Sequence, residues 1–468
     1  MESHVHVQRP KLIAGILMLG SFIGLFGETA LNMALTNIMD DLAISAGTAQ
    51  WLTTGYLLVL ATLVPLSAYL VRWFTTRQLI VSALLISSLG ALLAALAPNF
   101  AVLLLGRLIQ AIGTGIFLPL MFSVVLMIFP IQKRGSVMGI VGLVITAGPA
   151  LGPTLSGLII QVSSWHYIFV VMIALNVLLL LGSLKVENVS IISKPTIDVA
   201  SLLLSTLAFG GIIFSLATLA ETPFANPFVW GPLVVGVVAL LLFVLRQLKM
   251  THPMIDLRVF KYTMFSLGTL LMFATLFVIL SVSILIPIYL KSVLAYSSIA
   301  AGLLMLPANF LNILMAPIVG SSFDRVGARI YTRAGFAFMT LAALLFIMIL
   351  SATTPVWQVI AALCMLFLGV SMAIMPAQTH AMNQLPPDLY ADGSAAMNTL
   401  TQVAGAAGTA IAITLFTAGQ KNYIAEFGAV NPAAFLASGT NFAFYAVLVA
   451  AIVGLVGSLF VRNTKLAS

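Results

Sequence analysis

Long apolar blocks separated by short polar gaps run through the whole chain, and nearly every charged residue sits in a gap. An α-helix rises ~1.5 Å per residue, so about 18 to 20 apolar residues cross the ~30 Å hydrocarbon layer of a bilayer. Blocks of that length predict fourteen spans: residues 12–37, 48–70, 78–97, 101–129, 136–161, 166–184, 199–219, 228–247, 264–290, 298–320, 331–350, 357–379, 393–417 and 440–461. A bilayer offers no water to backbone amides, so each span is expected to be a helix. The predicted fold class is an all-α polytopic membrane protein. The first block exceeds a signal-peptide core and lacks a cleavage site of small residues, so it is expected to stay as an uncleaved span.

Composition agrees with the pattern. Of 468 residues, 61% are hydrophobic and 7% charged, against roughly 25% charged in soluble domains. No gap is long enough to fold as a separate soluble domain. Lysine and arginine are depleted from short translocated loops. With the N-terminus inside, the inner segments hold Arg9, Lys11, Arg72, Arg77, Lys133, Arg134, Lys185, Lys194, Arg246, Lys249, Arg258, Lys261, Arg325, Arg329, Arg333, Arg462 and Lys465; the outer loops hold Lys291 and Lys421. Both termini are therefore expected in the cytoplasm. The net charge of +8 follows from this asymmetry and calls for no nucleic-acid partner. The single cysteine, Cys364, lies inside an apolar block and is expected to pack in the interior.

Two pairs of segments repeat. Gly320-Ser-Ser-Phe-Asp324-Arg325-Val-Gly327-Ala-Arg329, between spans ten and eleven, has a counterpart in Ala68-Tyr-Leu-Val-Arg72-Trp-Phe-Thr-Thr-Arg77 between spans two and three. Arg134-Gly135-Ser136 opens span five and Asp392-Gly393-Ser394 opens span thirteen, each leading into a Gly/Ala-rich helix. Spans one to six thus match nine to fourteen, as in transporters built from internal repeats. The predicted division is an N-terminal six-helix bundle at residues 1–184, an inserted helix pair with its linkers at 185–261, and a C-terminal six-helix bundle at 262–468.

With these features the chain resembles the major facilitator superfamily, in particular its fourteen-helix drug:proton antiporter branch of QacA- and EmrB-like multidrug exporters. The resemblance covers essentially the whole chain. It rests on Arg107-Leu-Ile-Gln110-Ala-Ile-Gly113-Thr-Gly115 in span four, Gly148-Pro149-Ala-Leu-Gly152-Pro153 with Gly157 in span five, and the Asp324–Arg329 loop. The Gly-Pro signature implies an exporter. In the first inner loop the family's usual aspartate is replaced: Arg72 stands at about that place, and Thr75 where a glycine is expected. The resemblance further implies that Arg107 assists proton transfer, and that the latch formed by Asp324, Arg325 and Arg329 holds the outward-facing state.

Glu28 is the one carboxylate set deep in an apolar block. Facing lipid it would cost several kcal/mol, so it is expected to face protein or a water-filled cavity. Ser21, Gly24, Glu28, Asn32 and Thr36 recur at steps of three or four and fall on one helical face, which is expected to line that cavity. A low-dielectric site disfavours a charged carboxylate, so Glu28 is a candidate proton carrier. The alternative is a glutamate that only hydrogen-bonds neighbouring helices. Arg107 is the basic residue well inside a span, at a depth within about 5 Å of Glu28, and a direct or water-bridged contact is expected; alternatively it ties helix ends to carbonyls. Pro149 and Pro153, with Gly148 and Gly152, predict a bent, tightly packed helix. Asp392 is expected to serve its helix N-terminus, the alternative being a second titratable site.

Substrate-cavity candidates are Asn32, Tyr56, Gln110, Asn309, Asn312, Asn398 and Gln402, with Phe26 and Met33 nearby. An apolar cavity with one acid suits small-molecule drugs, above all amphipathic cations. The function expected is a proton-coupled multidrug efflux antiporter, a monomer in the inner (plasma) membrane of a bacterial-type cell, in contact with lipids, with the proton as coupling ion and no cofactor. A dedicated exporter of an endogenous lipid, peptide or metabolite would share these features, as would a proton-independent facilitator. An enzyme is not expected. His4, His6, His166, His252 and His380 lie scattered at ends and loops, with no nucleophile–base pair or metal cluster, and no phosphate-binding glycine loop followed by lysine occurs.

Overall fold

A computed structural model describes residues 9–44, 46–190, 192, 198–219, 226–251, 253–428 and 431–462, and every regular element among them is helical. The α-helices are α1 (Pro10–Leu42), α2 (Ala46–Trp73), α3 (Thr76–Ala95), α4 (Phe100–Ile128), α5 (Ile131–Val162), α6 (His166–Ser183) and α7 (Val199–Leu219). They continue with α8 (Pro227–Lys249), α9 (Thr263–Ile288), α10 (Ser298–Val326), α11 (Ala328–Ile349), α12 (Val356–Met382), α13 (Tyr390–Phe427) and α14 (Pro432–Leu459). A 3₁₀ turn, Leu257–Lys261, precedes α9.

Among the described residues twelve of these helices are long and apolar enough to cross a membrane, two fewer than the fourteen spans expected. The difference lies in α2 and α5, which have 28 and 32 residues. Among their described residues α2 offers the apolar stretch Trp51–Leu60, and in both helices the described residues fall into stretches shorter than a span, so the count is one of described stretches.

Polar caps set several helix starts. The Thr75 side chain accepts from the Gln78 backbone N–H while Gln78 returns a bond to the Thr75 N–H; Asn99, Ser297 and Asn431 cap α4, α10 and α14 in the same sense. Such caps satisfy backbone donors that the first turn leaves unpaired. Short connections make consecutive helices antiparallel, so the starts of odd-numbered helices and the ends of even-numbered ones share one face. That face also carries the outer ends of α1 and α14, and is called the terminal face below.

Helix α1 packs against α4, α5 and α6, α2 against α4, and α3 against α4 and α6. In the second half α9 packs against α12, α13 and α14, and α11 against α12 and α14. The two groups meet where α5 lies on α10 and α2 on α13, while α7 and α8 pair with each other and α7 reaches α2 and α13. On the α5–α10 crossing two glycines touch: a Cβ built on Gly139 would stand 2.8 Å from the Gly320 Cα. Backbone approaches that close exclude any side chain.

Candidate functional site

Three glycines of α1 form the seat of the site. A Cβ at Gly20 would meet the Phe117 ring at 2.5 Å, one at Gly24 the Thr114 Oγ1 at 2.5 Å, and one at Gly27 the Met172 Cε at 2.5 Å. Small residues thus draw α4 and α6 against this flank of α1. A second flank is taken by α5, where a Cβ at Gly148 would lie 2.8 Å from Leu25 Cβ and one at Gly152 would lie 2.1 Å from Thr29 Oγ1. The Thr29 hydroxyl also donates to the Pro149 carbonyl at 3.3 Å. The Gly-Pro segment expected to bend α5 therefore serves as a seat for α1 around Glu28, inside a helix that runs from Ile131 to Val162.

Between these flanks lies the charged group of the first half. Arg107 is 0% exposed. Its guanidinium carbon stands 4.2 Å from the Tyr56 ring centroid, a cation–π contact, and Nη1 donates to Gln110 Oε1 at 3.0 Å. Gln110 in turn points Nε2 at Met172 Sδ, 3.7 Å away. The Tyr56 hydroxyl donates to the Gly24 carbonyl at 3.1 Å and lies 2.7 Å from Thr114 Oγ1. Arg107 Nε and Nη2 have no hydrogen-bond partner among the described residues.

A buried cation with unmet donors is costly unless a charge balances it. Glu28, half-buried on α1, is the acid within electrostatic reach. Among the described residues no ion pair or hydrogen bond holds its carboxylate. The expected approach of Glu28 and Arg107 is thus present as proximity, without the direct contact.

Not every expected cavity residue opens onto space. Phe26, Tyr56 and Gln110 are buried in helix packing, with Phe26 stacked on Phe22 at 6.3 Å. Asn312 is buried, its Oδ1 without a hydrogen-bond partner among the described residues. Asn309, Asn398 and Gln402 are half-buried, and Asn398 donates to the Ser394 carbonyl at 2.8 Å. The side chains of Asn32, Met33, Thr36, Pro153 and Asp324 lie outside the described residues. Ser21, placed on the Glu28 stripe by spacing, is fully buried, its hydroxyl without a partner among the described residues. Cys364 is half-buried and packs on the apolar cluster of the second half.

Where the two groups of helices meet, the terminal face is closed by polar residues. Arg72 at the end of α2 forms an ion pair with Asp392 at the start of α13, and Asp392 is fully buried. Arg134 at the start of α5 donates to the Phe129 and Leu126 carbonyls at 3.2 and 2.6 Å, and reaches across to Asn383 Oδ1 and the Tyr390 hydroxyl at 3.2 and 2.9 Å. Ser394 donates to the Pro119 carbonyl at 3.2 Å. Asp392, expected to serve its helix terminus, also joins the two groups. Arg325 and Arg329 of the expected latch are exposed.

A family model described as Major Facilitator Superfamily matches residues 17–409. The lincomycin resistance protein LmrB of Listeria monocytogenes is 49% identical over 458 residues, which is 97% of either chain. LmrB of Bacillus subtilis is 48% identical over 457 residues, 96% of this chain and 95% of its own. Among solved structures, the human organic anion transporter MFSD10 aligns with a TM-score of 0.67 over 97% of this chain and 100% of that one; at 14% identity the likeness is one of fold.

Proposed function

Because this chain belongs to the major facilitator superfamily, we propose that it is a drug exporter of a bacterial inner membrane that exchanges its substrate for protons by alternating access. The drug-efflux reading is supported by the extent of likeness to the lincomycin resistance proteins, which spans nearly the whole of each chain. In this reading α2 and α5 also cross the bilayer, giving fourteen spans, and both termini are cytoplasmic in accord with the lysine and arginine distribution. Residues 1–184 and 262–468 are the two moving six-helix bundles, with 185–261 as the inserted pair. The closed terminal face then makes this the outward-facing state.

The observation that carries proton coupling is the Glu28 carboxylate, without a partner among the described residues, beside a buried arginine whose Nε and Nη2 also have none among them. With no bond to its carboxylate among those residues, protonation of Glu28 changes the local charge without first breaking one. Deprotonated, Glu28 balances Arg107 and attracts a cationic or hydrogen-bonding substrate; protonated, it releases that substrate. Occupancy of one site by proton or substrate, each preferring a different orientation of the bundles, yields exchange. One deep acid implies one proton per cycle.

The test uses the purified protein in proteoliposomes under an imposed pH gradient, with lincomycin and the amphipathic cation ethidium as probes. Glu28→Gln is expected to abolish gradient-driven movement of both while the protein remains folded. Undiminished pH-driven transport by that variant would sink the assignment.

A further inference from the structure

The inserted pair α7–α8 lies outside the two groups it accompanies, yet a continuous chain of polar contacts, exposed at Arg246 and buried at Gln247, runs from it to the Arg72–Asp392 ion pair. It starts at Asp198, just before α7, whose carboxylate accepts from Arg246 of α8 at 2.7 and 2.8 Å and from the Ser201 hydroxyl at 2.5 Å. The Ser201 hydroxyl accepts in turn from Gln247 Nε2 at 2.5 Å. Gln247 is 3% exposed. Its Oε1 accepts from the backbone N–H groups of Met254 and Ile255 at 2.7 and 3.3 Å. Those residues are buried, and the next backbone N–H, that of Asp256, donates to Asp392 Oδ1 at 3.0 Å. Asp392 Oδ2 then meets Arg72. The Asp256 side chain is held away by Arg258 at 2.6 Å, so its backbone rather than its charge faces Asp392.

We infer that Gln247 is a positioning residue for the gate: by fixing residues 254–256 it holds the N–H that orients Asp392 toward Arg72, so the inserted pair sets how readily the terminal face opens. Two features support this. A buried carboxylate needs each of its bonds, and the two oxygens of Asp392 are used by different partners, one from α2 and one from the segment that Gln247 fixes. The amide of Gln247 also has a donor and an acceptor at opposite ends, which is what bridging a hydroxyl and a pair of N–H groups requires. The inference rests on the proposed function only in treating the terminal face as a gate.

The test reads gate opening without transport. A thiol reporter, Ser123→Cys in a Cys364→Ser background, is placed at a position of α4 that is 1% exposed behind the closed face; alkylation of the full-length protein in nanodiscs is then timed. Arg72→Ala is expected to speed labelling by about tenfold, and Gln247→Leu to speed it by a similar factor. Gln247→Glu keeps the acceptor for residues 254 and 255 and should recover most of the slow labelling. A control reporter, Ala342→Cys in fully buried α11 packing, should label equally slowly in all variants, since general loosening would speed both. Should Gln247→Leu fail to fold, Ser201→Ala cuts the same chain one link earlier and should give a smaller acceleration. Slow labelling in Gln247→Leu or Ser201→Ala, alongside fast labelling in Arg72→Ala, would overturn the relay and leave the gate standing. Slow labelling in all three would overturn the gate and the relay together.

Discussion

At Arg107 the balance of forces is set by a few groups. The guanidinium is stacked on Tyr56 and held by one bond to Gln110, with two nitrogens unmet. Lysine would keep the charge but lose the planar stacking surface and the fixed fork. Arg107→Lys is therefore expected to lower the rate of pH-driven exchange about tenfold, equal to ~1.4 kcal/mol, with the protein still monodisperse; a rate within twofold of the parent would show that charge alone suffices. A second residue, Asp198, gives a pH prediction. Its hydrogen bond from Arg246 holds its pKa at about 2, below the ordinary 3.8. A depressed carboxyl contributes stability that is complete above the ordinary value and is lost as pH falls through about 2. The thermal midpoint of the parent should exceed that of Asp198→Asn at pH 5, and the gap should close between pH 4 and pH 2; a gap constant over that range would refute the pairing. Glu28 and Arg107 were legible in the sequence because a charge inside an apolar block stands out by its cost. Their neighbours Tyr56, Gln110 and Met172 were not legible as one cluster, since they come from three helices and spacing on a helix reports only its own face.

At the level of elements, the α1–α5 pairing depends on missing side chains. A Cβ at Gly152 would stand 2.1 Å from Thr29 Oγ1, with the Ala30 backbone nitrogen at 3.1 Å. Gly152→Ala is expected to cost about 1–3 kcal/mol through overpacking and to lower the thermal midpoint. Adding Thr29→Ala removes the nearest atom and should return part of that loss; no recovery would mean the backbone contacts alone set the limit. The glycines of this segment could be read as close-packing residues from sequence, and the partner they seat could not. Helix number was legible in outline because apolar length has a fixed physical measure.

For the whole molecule, the contact between the two groups of helices is partly a backbone contact. A Cβ on Gly320 would fall 2.4 Å from the Gly139 Cα, so Gly320→Val should wedge α5 from α10. Faster alkylation of the Ser123→Cys reporter, with the Ala342→Cys control unchanged, is the expected outcome; slow labelling would show that the polar contacts close the face without the glycines. The internal repeat in the sequence pointed to two related groups of helices. Which charges join them could not be read, because Arg72 and Asp392 are 320 positions apart and only the packing of α2 on α13 brings them together.

The Gly139–Gly320 touching point has a mechanical consequence. If α5 moves as a rod about it, its two arms are unequal: eight residues lead to Ile131 and twenty-three to Val162, about 12 Å and about 35 Å at the helical rise. A displacement of ~1 Å at the tip of the short arm becomes ~3 Å at the long one. The fulcrum lies near the locked end, so a small slip there is amplified into the wide swing that a passage for a bulky solute demands.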